Sequence, residues 1–190
     1  MGLDRLSRQV GVAWFLLGLA LFGCLPARAE ESASAREYAV KAAFILQMVR
    51  YVEWPAPGDA DAEGDFVVGV LGEDPFGRTI DTLAGRSTPA GQTIQVVRFA
   101  RLQDVTDCRI LFIARSESRR LARVASRLGR RPILLLGDTR GFAERGVHVN
   151  FYLSGDRVRF EINLEAARRA GLEISAKLLR LARIVVEPET

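Results

Sequence analysis

The sequence predicts an α/β protein: a mostly parallel central sheet flanked by helices, with a C-terminal β-hairpin and terminal helices. Three observations carry this prediction. Four short apolar runs, FVVGVLG (66–72), TIQVVRF (93–99), RILFIA (109–114) and PILLLG (132–137), are separated by segments of helical pattern. Such alternation implies parallel strands with helices on both faces. Two of the runs are nearly continuous in Val, Ile and Leu, as strands covered on both sides should be. Finally, VHVNFYLSGDRVRFEIN (147–163) alternates around Ser154-Gly155-Asp156-Arg157 and reads as an antiparallel hairpin.

The first 29 residues are of another kind. Arg5 and Arg8 precede an uncharged run, VGVAWFLLGLALF (10–22), and Ala27-Arg28-Ala29 supplies small residues at a cleavage site. This is the pattern of a secretory signal. The run is shorter than the roughly 20 residues of a membrane span, so a retained anchor is the weaker reading. Cys24 follows a stretch that approaches a lipoprotein box, but Phe22 is bulky where a small residue is usual. The expected mature chain is Glu30–Thr190, a single domain, with no membrane insertion once the signal is removed.

Charge supports no nucleic-acid role. Of 190 residues, 48 % are hydrophobic and 26 % charged, within the globular range. Removal of Arg5, Arg8, Arg28 and Asp4 takes 27 basic and 23 acidic residues to 24 and 22, a net charge of +2. No basic block is interleaved with aromatics as a nucleic-acid surface would require.

The elements follow in order. REYAVKAAFILQMVRYVEW (36–54) places Tyr38, Ala42, Ile45, Val49 and Val52 at helical spacing, with Phe44, Met48 and Tyr51 beside them. Glu37 and Lys41 form an i, i+4 pair in the favourable order. Pro55 and Pro57 end the helix. Two further helical segments, FGRTIDTLAG (76–85) and ESRRLARVASRLG (117–129), link the strands; in the second, Leu121, Val124, Ala125 and Leu128 form one stripe. Asn163 is placed to cap LEAARRAG (164–171) and Ser175 to cap AKLLRLARIVV (176–186). On that last helix Leu178, Leu181, Ala182 and Val185 face the core, and Lys177, Arg180 and Arg183 form a basic edge.

The chain offers little for catalysis. His148 is the single histidine and reads as structural. No cluster has metal-ligand spacing and no G-x-S-x-G elbow is present. No catalytic residue, metal or cofactor is predicted. Cys108 is the only thiol after signal removal; it cannot form an internal disulfide and reads as a buried, inert group, with an intermolecular bridge or redox sensor as the alternative. The turns after the first, third and fourth strands share one edge of a parallel sheet, where ligands usually bind. Asp74, Ser116 and Asp138 are therefore candidates for a ligand crevice. For partner contact the candidates are Phe151, Glu161, Asn163, Lys177, Arg180 and Arg183. Glu161 points opposite to Phe160 and Ile162, toward solvent or a shared surface.

EYAVKAAFILQMVRYVEWP, FVVGVLGEDPFG, CRILFIARSE, RPILLLGDTRGFAERGVHVNFYL and RVRFEINLEAARRAGLEISAKLLRLARIV occur in this order. Together they resemble the YfiR family across nearly all of the mature chain. The most specific pieces are Val52-Glu53-Trp54-Pro55 and Phe160-Glu161-Ile162-Asn163-Leu164. The resemblance implies a periplasmic regulator, commonly dimeric. It would bind and repress the periplasmic domain of an inner-membrane diguanylate cyclase, lowering cyclic di-GMP signalling and biofilm formation. It also implies possible sequestration by an outer-membrane lipoprotein. The family pattern includes internal disulfides, which a lone Cys108 does not support. The competing readings are a periplasmic small-ligand sensor acting on another membrane signalling protein and, with least support, an exported hydrolase.

Overall fold

The computed structural model describes residues 26–55 and 64–186. The chain divides into two units, Met1–Glu37 and Tyr38–Thr190, and the sheet belongs to the second. The predicted signal segment up to residue 25, Cys24 included, lies outside the described residues.

The central sheet has seven strands. Phe66–Leu71 (β2), Ile94–Phe99 (β3), Ile110–Ile113 (β4) and Leu134–Gly137 (β5) are the four predicted runs, with ends within two residues of the sequence reading. Val149–Ser154 (β6) and Arg157–Asn163 (β7) form the hairpin. Arg183–Val185 (β9) completes the order β3-β2-β4-β5-β6-β7-β9. From β3 to β6 all neighbours are parallel; β6 and β7 are antiparallel, and β9 is parallel to β7. The order reverses between β2 and β4, which makes that junction a topological switch point.

Alternation along the strands divides the interior into two layers. Val68, Val70, Ile110, Phe112, Leu134 and Leu136 face a core shared with Ala42, Ile45, Met48 and Val49 of the helix Pro26–Tyr51 (α1). Leu71, Leu111, Ile113 and Leu135 face the other, shared with Leu121, Val124 and Leu128 of the helix Leu121–Leu128 (α2). The second layer is tight at Gly69: a Cβ there would lie 2.7 Å from the Phe99 ring and 2.9 Å from Leu111.

Several connections differ in form from the sequence reading. Residues 77–83 and 115–120 are 3₁₀ segments, the second leading into α2. Both are short crossovers, where i→i+3 bonding closes a turn in fewer residues. Helix α1 stops at Tyr51, and Val52–Glu53 (β1) pairs antiparallel with Glu173–Ile174 (β8). Asn163 caps the helix Leu164–Arg169 (α3) as predicted, its Oδ1 accepting from Ala166 N at 2.9 Å.

The last helix is the main correction. It spans only Ala176–Leu179 (α4), and Ser175 makes no side-chain cap bond. The chain then turns into β9. Ile184, Val185 and Val186 are β-branched and favour a strand, and β7 offers a row of unpaired backbone groups to receive it. Lys177, Arg180 and Arg183 therefore do not form one helical edge. Leu178 is buried, whereas Leu181 is 68 % exposed rather than in the core.

His148 is fully buried and accepts a hydrogen bond at Nδ1 from Leu135 N, 3.1 Å away. That bond requires an unprotonated Nδ1 and assigns the proton to Nε2. Burial, reinforced by the Arg169 cation, lowers the pKa to about 4; the Gly129 backbone pulls the other way without closing a hydrogen bond to Nε2. The unfolded chain thus takes up a proton near pH 6.5 that the folded chain refuses until about pH 4. Stability should be undiminished above pH 6.5 and fall as pH drops through this window, by up to ~3 kcal/mol. Urea midpoints measured across it should show the slope, and His148→Gln should flatten it; equal slopes in both proteins would contradict the assignment.

Candidate functional site

The turns after β2, β4 and β5 meet at the C-terminal edge of the sheet, as the sequence predicts, but their polar groups are used by the chain itself. Asp74 accepts from Phe76 N at 2.7 Å through Oδ1 and pairs with Arg98 at 2.8 Å through Oδ2. Arg98 also reaches Asp81 at 2.8 Å. Both carboxylates raise the Arg98 pKa, Asp81 most. Ser116 Oγ accepts from Glu73 N at 2.9 Å. Gly72 has φ +94°, and a Cβ there would stand 2.4 Å from Ser116 Oγ, so the two turns are in direct apposition.

Asp138 is engaged most deeply. Its Oδ2 accepts from Lys41 Nζ at 2.7 Å and from Tyr38 OH at 2.9 Å, both on α1. The side chains of Lys41 and Asp138 are only 3 % and 8 % exposed. Lys41 Nζ also lies 4.2 Å from the Tyr38 ring centroid. The Tyr38 ring meets Phe76 edge-on at 5.1 Å, and Phe76 meets Phe112 at 4.7 Å. The three predicted crevice residues thus share an edge, and each is engaged in hydrogen bonds within the chain.

The predicted contact residues separate into two groups. Phe151, Glu161 and Asn163 are buried. Phe151 packs with Phe44 and Phe160. Asn163, besides capping α3, donates through Nδ2 to Ala143 O at 2.8 Å. Glu161 does point opposite to Phe160 and Ile162, but Asn150 Nδ2 donates to its Oε1 at 2.9 Å and Arg183 pairs with its Oε2. That ion pair raises the Arg183 pKa, and the guanidinium lies 5.0 Å from the Tyr152 ring centroid. Lys177, Arg180 and most of Arg183 are exposed.

What the sequence reading missed beside them is apolar. Leu181, Ile184 and Val186 are 68 %, 49 % and 73 % exposed. They lie on or next to β9, the last strand of the sheet, in the same segment of chain as Lys177, Arg180 and Arg183. A strand-period reading of 183–186 would have separated Ile184 from Arg183; a helical reading hid it.

For chemistry the inventory is short. Among the described residues no three His, Cys, Asp or Glu side chains converge on a metal position. Cys108 is buried, and burial pushes its thiol up to about 12, Asp107 adding to and Arg131 opposing the rise. A thiol so held is almost wholly protonated at neutral pH and a poor nucleophile. Among the described residues no helix is long and apolar enough to cross a membrane.

The family model described as YfiR/HmsC-like matches residues 38–183. No curated protein matches the chain. One similar solved structure is that of "the ABC domain in complex with L-Trp from Streptococcus pneumonia", with TM-score 0.45 and 10 % identity. The match covers 63 % of this chain and 56 % of that one.

Two outcomes follow from these environments. Lys41→Met strands a buried Asp138 carboxylate and should cost about 3 kcal/mol in urea denaturation, with Asp138→Asn recovering part of the loss in the double variant. Additive effects would show that the pair is not coupled. Cys108 should resist thiol reagents in the native protein and react fully in denaturant; fast native labelling would contradict its burial.

Proposed function

This chain belongs to the YfiR/HmsC-like family, and we propose that it is a periplasmic regulator that binds and represses the periplasmic domain of an inner-membrane diguanylate cyclase. Family membership supports the class of regulator. The geometric observation that supports a binding role is the exposure of Leu181, Ile184 and Val186 on or next to the last strand of the sheet, in the same segment as the exposed Lys177 and Arg180. Exposed apolar side chains with cations nearby in the chain have the composition of a protein contact surface. Among the described residues β9 is the last strand on its side of the sheet, and such an edge can receive a further strand.

On this reading the contact surface is this C-terminal edge. Phe151, Glu161 and Asn163 act from within, holding β6, β7 and α3 in place behind it. Repression requires tighter binding to the inactive arrangement of the cyclase than to the active one. Exported placement keeps the regulator outside the cytosol, so the signal crosses the membrane as a change in the partner. Pairing with a second copy and sequestration by an outer-membrane lipoprotein belong to the same proposal. A small-ligand sensor working through Asp74, Ser116 and Asp138 has less support, because each of the three is held by internal hydrogen bonds.

The test is capture of solubilised inner-membrane proteins on the secreted chain, followed by assay of cyclase activity. The expected result is retention of a diguanylate cyclase that is less active when bound. Leu181→Asp with Val186→Asp should weaken that retention ~10-fold or more, at unchanged thermal stability. Retention of no signalling enzyme would overturn the partner, and undiminished binding by the variant would overturn the surface.

A further inference from the structure

Residues 115–131, RSESRRLARVASRLGRR, carry seven arginines and one acid. In α2, Leu121, Val124 and Leu128 are buried against the sheet. Helical periodicity then turns Arg123 and Arg127 outward on the opposite face, with Arg120 at the helix start. The turn after β3 brings Arg101, Leu102 and Gln103 against the same region. Between the two elements lies a cleft of about 510 Å³, lined by these residues and by Glu117. Its volume is within the roughly 300–1,000 Å³ of small-molecule sites.

The charges in this cleft are unbalanced. Arg101 pairs with Asp104 at 3.3 Å and Arg120 with Glu117 at 3.1 Å. Among the described residues Arg123 and Arg127 have no carboxylate partner, and they stand at i, i+4, where like charges repel. A solvated arginine face on one helix would be unremarkable. Here a fourth arginine, Arg101, lines the cleft from a separate element, and Gln103 lines it too. Guanidinium forks match the oxygens of phosphate groups, each accepting two parallel hydrogen bonds. The lining contains no aromatic ring, so the cleft is built for the anionic group and not for a base or ring attached to it.

We propose that this cleft binds a phosphorylated group carrying two or more negative charges, supplied either by a free small molecule or by a lipid headgroup. The site is separate from the β9 edge and does not depend on the cyclase reading.

The test uses the secreted chain at low ionic strength, where screening is weakest. Inorganic pyrophosphate is titrated by calorimetry, and sedimentation measures binding to phosphatidylglycerol vesicles with phosphatidylcholine vesicles as the neutral reference. The expected result is binding to at least one anionic probe, weakened ~10-fold or more by Arg123→Gln with Arg127→Gln. Arg101→Gln, on the other wall, should weaken it independently. Arg157→Gln with Arg159→Gln removes the same charge from the hairpin and should leave binding intact. Stronger binding to pyrophosphate assigns the group to a free phosphate compound, and stronger binding to the anionic vesicles assigns it to a headgroup. Failure of the wild type to bind either probe, or equal loss in the two double variants, would overturn the proposal.

Discussion

The contact on which the rest of the fold depends is the buried pair of Lys41 and Asp138, joined by Tyr38 OH. It ties α1 to the residue that follows β5, 97 positions away in the chain. Just past the C-terminal end of the helix, Trp54 Nε1 donates to Arg109 O at 3.1 Å beside the start of β4. With the helix tied at its middle and just past its C-terminal end, the apolar face between has one register over the sheet, and Ala42, Ile45, Met48 and Val49 meet the strand residues opposite them. The pair need not be a large net source of stability, because desolvating two charges offsets much of their attraction. Its effect is specificity: any slip of α1 would break a buried ammonium–carboxylate contact.

The same contact decides the character of the switch-point edge. In an open parallel sheet this edge is where ligands commonly bind. Here α1 lays Tyr38 and Lys41 across it, and Phe76 continues the aromatic contact down to Phe112. Asp74 closes its own turn, and Ser116 is tied to that turn through Glu73 N. The polar groups that would orient a ligand are thereby spent on cohesion, in keeping with a family of regulators. The exposed apolar residues lie elsewhere, on or next to β9, and the arginine-lined cleft lies beside α2.

Polar residues at the C-terminal end follow the same rule. Glu161, Asn150 and Asn163 stand on one face of β6 and β7, and Ala143–Arg145 packs against that region. A carboxylate in such a place needs a cation, and β9 delivers Arg183 to it. The last strand is therefore held by a side-chain pair as well as by its ladder, and alternation places Ile184, half-exposed, on the opposite face beside Ile162.

The sequence by itself determined the α/β class, the strand runs, the hairpin, the Asn163 cap and the family. These rest on local periodicity and turn chemistry, which act over a few residues. Only the tertiary structure decided the fates of Lys41, Glu161 and Arg183. Lys41 reads as one half of a surface pair with Glu37, yet it is buried against a carboxylate that lies near it only once the sheet has formed. Glu161 reads as outward-facing because alternation sets direction but not what covers that face. The stretch 176–186 has helical spacing and β-branched residues together, and the free edge of β7 settled the competition by supplying backbone partners. Periodicity assigns a residue to a face; burial and pairing depend on what the rest of the chain brings there.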